Sequence, residues 1–122
     1  MAHIRDPFAL HDGARETWGF VRERVLRSGI ADQHVKELAL RYVDDPDSVD
    51  VDAYSGRERA ALDWAHAIVW DADRADDELW ERLHELFSEE ELVDLGCAVG
   101  FELGLTHFLQ TLGAGPQADR PT

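Results

Sequence analysis

Leu92 to Leu112 is the only long apolar stretch in the chain, and the rest of the fold has to be arranged around it. Just ahead of it, Ser88-Glu89-Glu90-Glu91 is a capping box, and Phe87 before the cap can pack on Leu92 after the first turn as a hydrophobic staple. The pattern predicts a helix from Glu89 to Leu112, about 36 Å long at 1.5 Å per residue. A helix that is apolar nearly all the way round belongs at the centre of a bundle. Asp94, Glu102, His107 and several glycines interrupt the stretch, which favours a buried helix over a membrane span. Gly96, Gly100 and Gly104 recur at i, i+4, i+8. Each glycine inside a helix costs about 0.5 to 1 kcal/mol relative to alanine, so the stripe implies close approach of another backbone.

Four shorter helices are expected upstream. Asp12 is a candidate cap for a first, with Ala14, Trp18, Val21 and Val25 on one face and Gly29 as its stop. Asp32 opens a second, with Val35, Leu38 and Tyr42 facing inward, Glu37 and Arg41 as a surface pair, and Pro46 ending it. Ser55-Gly56-Arg57-Glu58 has the spacing of another capping box, before Leu62, Ala65, Ile68, Val69 and Ala72. Asp76 and Asp77 start a fourth, carrying Leu79, Trp80, Leu83, Leu86 and Phe87. No strand pair, repeat or phosphate loop interrupts this order. The expected fold is all-α: one helical bundle of about five helices over residues 1–113, with a long central C-terminal helix, and a flexible tail over 114–122.

A net charge of −14 over 122 residues repels phosphate backbones and anionic head groups, so neither nucleic acid nor a membrane is expected as a partner. Between Asp44 and Asp52, five aspartates in nine residues form a solvated loop; an EF-hand starting at Asp45 would put Asp50 where glycine is required and Gly56 where the bidentate glutamate is required. The single cysteine, Cys97, cannot form an internal disulfide, and Arg5, Asp6 and Pro7 break up any signal-peptide core, so a cytoplasmic protein is expected. With no cation within a turn, Cys97 reads as a buried, inert thiol. The six histidines show no ligand spacing, so no metal or other cofactor is expected.

Three segments carry a family resemblance: Arg57-Glu58-Arg59-Ala60-Ala61-Leu62 with Trp64-Ala65, Phe87 through Leu95, and Gly104-Leu105-Thr106-His107-Phe108 before Leu112-Gly113. With Val35 through Val43 they resemble the carboxymuconolactone decarboxylase and alkylhydroperoxidase D family over roughly 70 residues. The resemblance implies an alkylhydroperoxidase D-like bundle and a homo-oligomer packed through its long helices. Redox-active members follow the glutamate-bearing helix, where Glu37 matches, with Cys-x-x-Cys-x-x-x-His. Here there is no cysteine or histidine between Lys36 and Asp63. A peroxidatic dithiol needs a thiolate and a resolving thiol, and this chain has neither pair member there.

The remaining candidates for chemistry are Glu102, His107, His66 and Glu37. Glu102 is the only carboxylate between Leu95 and Leu112 and needs a partner, from Thr106 or His107 on its own helix or from His66 on another. A carboxylate facing an imidazole in an apolar pocket is an acid/base pair. Asp63 with His66, and His34 with Glu37, stand at i, i+3 and read as surface pairs. Trp64 and Trp70 cannot both face one core, so one of them meets another subunit or lines a ligand pocket. The expected function is non-redox, lyase- or decarboxylase-like acid/base chemistry on a small organic acid or lactone. The alternatives are a non-enzymatic oligomeric or partner-binding scaffold and an antioxidant accessory protein.

Overall fold

A computed structural model of the chain describes residues 3–113; the expected tail, 114–122, lies outside the described residues. Among these the structure is all-helical: α1 (Pro7–Leu10), α2 (Asp12–Val21), α3 (Gln33–Asp44), α4 (Gly56–Trp70), α5 (Asp77–Leu86) and α6 (Glu89–Thr111), with short 3-10 turns at 46–48, 51–53 and 72–74. The five expected helices are present, and α1 is added in front of them. Asp6 caps α1, accepting from the Ala9 N–H. The α2 cap is not Asp12 but the preceding residue, His11, whose Nδ1 accepts from the Ala14 N–H at 3.0 Å.

Capping fixes the other starts. Asp32 Oδ1 accepts from the backbone of His34 and Val35, and Asp76 from Leu79. At α6 the capping box is complete: Ser88 Oγ accepts from Glu91 N, and Glu91 Oε1 from Ser88 N. These bonds, first the Ser88 backbone one and then the Ser88 hydroxyl and Arg57, hold the Glu91 carboxyl below its ordinary range against the opposing effect of burial. The box expected at Ser55 does not form: Ser55 makes no side-chain capping bond, and Glu58 sits 3.5 Å from His34 instead. The surface pair expected between Glu37 and Arg41 is replaced as well, Arg41 reaching the Tyr54 hydroxyl.

The α6 helix has three differently covered faces. Leu92, Leu95 and Val99 join the main core with α3, α4 and α5, built around Leu38, Ala39, Leu62, Ala65 and Leu83. Ala98, Leu109 and Leu112 join a second cluster under the N-terminal segment, with Phe8, Trp18, Val21 and Leu26. The third face is open, with Val93, Phe101 and Phe108 each about half exposed or more. Cys97 lies on it and is exposed, which overturns its expected burial: the all-round apolarity of α6 does not reveal which side is covered. Nor, among the described residues, does another backbone fill the glycine stripe. The ring of Trp64 approaches Gly96, whereas the Cβ positions at Gly100 and Gly104 have nothing within 4 Å.

The second cluster is held to the main core by a buried ion pair. After α2 the chain makes one wider, π-type turn over 22–26 and then turns at Gly29, with φ +139°. A helix C-terminus leaves carbonyls without partners. Here Lys36 Nζ, fully buried on α3, donates to Val25 O at 3.0 Å, Ser28 O at 2.8 Å and Asp94 Oδ1 of α6 at 2.8 Å. Asp94 Oδ2 accepts from the Ala31 N–H at 2.9 Å. A Cβ on Gly29 would run into the Asp94 carboxylate, so at this position both the space and the backbone require glycine.

Candidate functional site

The buried residues of α4 are Ala60, Ala61, Leu62, Ala65 and Ala67, which leaves Arg59, Asp63, His66 and Trp70 along another side at i, i+4, i+7, i+11. Arg59, Asp63 and His66 of that side form one wall of an open cleft of about 510 Å³, closed by Tyr42 from α3, Arg74 from the 72–74 turn and Arg82 from α5. Its walls mix the signs of charge, since Asp52, Asp76 and Glu78 also line it.

Two polar groups share the cleft. In the first, Asp63 bridges two arginines, Oδ1 accepting from Arg59 Nε at 3.0 Å and Oδ2 from Arg82 Nη2 at 2.9 Å. Arg59 also reaches Val51 O and Asp52, both at 3.3 Å. Asp63, through its hydrogen bond and then its charge, raises the Arg59 pKa. The second is a chain of three: the Tyr42 hydroxyl is 2.7 Å from His66 Nδ1, and His66 Nε2 is 3.5 Å from Arg74 Nη1. The rings of His66 and Trp70 lie 4.9 Å apart between centroids, tilted by 42°, and Tyr42 meets Trp70 edge-on at 5.7 Å. Burial, then the negative charge of Asp63, pushes the Tyr42 phenol above its ordinary value, while Arg74 pulls it back. The phenol therefore keeps its proton at neutral pH.

Of the four candidates read from the sequence, the cleft contains His66 alone. Glu37 is exposed on α3 and His107 is exposed on α6. Glu102 is 2% exposed on the α6 side turned to the end of α3, one turn before Thr106, whose hydroxyl donates to Asp44 Oδ1 at 2.8 Å. Asp63 does not pair with His66 at i, i+3, nor His34 with Glu37; the partners are Arg59 and Arg82 for Asp63, and Glu58 for His34. Among the described residues no three His, Cys, Asp or Glu side chains are placed to hold a metal ion. Compared with protein-family models, with curated proteins and with solved structures, the chain finds no match. The likeness to carboxymuconolactone decarboxylases thus rests on the sequence segments alone.

The residues missed were Tyr42, Arg74 and the Asp63 bridge. Two signals pointed to them: the i, i+4, i+7 spacing of Arg59, Asp63 and His66, and a tyrosine on a core face, whose hydroxyl must find a partner when buried.

Proposed function

We propose that this chain is a carboxymuconolactone decarboxylase-like protein without the dithiol, and that it binds and transforms a small organic acid or lactone at the α3–α4–α5 cleft by non-redox acid/base chemistry. The observation that carries this reading is the Tyr42–His66–Arg74 chain. In the tautomer this reading requires, the protonated Tyr42 hydroxyl donates to Nδ1 and the ring proton sits on Nε2. Nε2–H and the Arg74 guanidinium then present two donors to the same space at 3.5 Å, and an acceptor between them completes both bonds. A carboxylate oxygen or a lactone carbonyl is such an acceptor. Tyr42 is a positioning residue that fixes the tautomer; His66 Nε2 is the acid/base atom, and Arg74 holds the charge.

The test is an NMR titration of the full chain with short aliphatic and aromatic carboxylates and with five-membered lactones, monitoring the His66 and Trp70 rings. Saturable shifts are expected from at least one compound. Loss of a charge-assisted hydrogen bond, about 1.5 to 3 kcal/mol, should weaken its binding roughly ten- to a hundredfold in Arg74→Ala. If no compound moves His66, or if Arg74→Ala binds as well as wild type, the reading fails.

A further inference from the structure

Trp64 of α4 and Trp80 of α5 are both only partly buried, and their rings meet edge to face, 5.6 Å between centroids and 65° between planes. The Trp64 ring rests against α6 at Gly96, where an added Cβ would fall 2.8 Å from it. The two rings make the corner of a pocket of about 380 Å³ that Leu92, Val93 and Gly96 complete on the α6 side. Two polar side chains line it as well, the exposed His84 of α5 and Glu89 of α6.

These two groups turn acceptors toward each other. His84 Nδ1 lies 2.9 Å from Trp80 O. A carbonyl oxygen only accepts, so Nδ1 carries the ring proton. In the neutral ring Nε2 is therefore an acceptor, and it stands 3.5 Å from Glu89 Oε1, another acceptor. A single N–H donor placed beside both satisfies the pair. We propose that this pocket binds a small primary amine as its ammonium ion, the head donating to His84 Nε2 and Glu89 and the apolar body lying in the corner of Trp64 and Trp80. A proton on Nε2 fills the same place, so ammonium binding and ring protonation are alternatives.

The surroundings select for such a cation. An ammonium group over a tryptophan face is attracted by the ring quadrupole, most strongly where water is excluded. Charge acts in the same direction: Asp77, Glu81 and Glu85 line an adjoining groove that shares Trp80 and His84 with the pocket, and no lysine or arginine lines either space. A net charge of −14 draws cations toward the whole surface. The volume is near the lower end for ligand pockets, which suits a benzyl- or short alkylamine. A metal ion fits less well, because among the described residues no three His, Cys, Asp or Glu side chains converge on one point. The apolar walls also match the body of an organic cation and give a bare ion nothing to bind.

Benzylammonium chloride, titrated into the full chain at mildly alkaline pH where protons compete least, should give saturable NMR shifts of the Trp64 and Trp80 indole N–H signals. Glu89→Gln changes a side chain that is 82% exposed, so the fold is kept, and binding should weaken about fivefold, the scale of an exposed ion pair. Trp80→Leu, checked for wild-type helical circular dichroism, should weaken it about three- to tenfold, and Glu89→Gln alone decides if that variant does not fold. Two analogues separate the contributions. Benzyltrimethylammonium keeps the ring and the charge without an N–H, benzyl alcohol keeps the ring without the charge, and both should bind more weakly than benzylammonium. The proposal is overturned by the absence of a saturable shift, by Glu89→Gln binding as tightly as wild type, or by either analogue matching benzylammonium. None of these outcomes bears on the cleft around His66.

Discussion

Replacing Lys36 with methionine should be among the most destabilising single changes in this protein. The ammonium has three acceptors, at 3.0, 2.8 and 2.8 Å, and all three are protein groups: two carbonyls at the end of the first helical arm and the Asp94 carboxylate. Methionine fills most of the same volume, so the change isolates the charge. Asp94 keeps its bond from Ala31 but is left as a carboxylate with 14% side-chain exposure and no cation. Removing one member of a buried pair costs about 3 to 5 kcal/mol. Because some water reaches Asp94, the lower end applies, about 3 kcal/mol, which for roughly 100 residues lowers Tm by about 12 to 24 °C.

Urea unfolding followed by tryptophan fluorescence measures this directly, and a second variant tests the reason. Adding Asp94→Leu to Lys36→Met removes the stranded charge, so the double variant should be more stable than Lys36→Met alone even though it has lost one more polar group. A loss below about 1 kcal/mol in the single variant, or simple additivity in the double, would show that the pair does not hold the arm as described.

Two further outcomes are expected. In a Tyr54→Phe background, the remaining phenol, Tyr42, should ionise above the ordinary value of about 10; because the folded state holds that proton more tightly, the stability it contributes is present below pH about 10 and lost as pH rises through the folded value. A spectrophotometric titration with its midpoint at or below 10 would contradict the burial of Tyr42. Cys97 should be alkylated by iodoacetamide in the native protein, yet hydroperoxide with dithiothreitol should turn over no faster with wild type than with Cys97→Ser, since no second cysteine exists to resolve a sulfenic acid.

The helices were legible because their signals are local. Asp32, Asp76 and the Ser88–Glu91 box each act within three residues, and each does what its spacing predicts. Ser55 shows where this stops: the same four-residue spacing is present, but Glu58 has His34 of another helix within reach. The arm before α3 was legible only in part, since the wide turn at 22–26 depends on an ion pair whose members stand 58 residues apart. Sequence spacing alone would leave Lys36 on a solvated face, next to Glu37. The candidate site divides in the same way. His66 and its polar stripe are periodic along α4, whereas Tyr42 and Arg74 join it only through tertiary packing.

The same helix that anchors the arm also shapes the cleft. Lys36 reaches Asp94 of α6, Tyr42 reaches His66 of α4, and Asp44 accepts from Thr106 of α6, all from α3. Between Asp44 and Gly56 the chain has room only for two single turns, so no further helix separates α3 from α4 and the two pack directly. Direct packing is what brings a tyrosine from a core face within 2.7 Å of a histidine on a polar one. An insertion long enough to add a helix to that connection would part Tyr42 from His66 while leaving the Lys36–Asp94 pair, on the opposite stretch of α3, in place. The Tyr42–His66 pair is thus a consequence of one short connection.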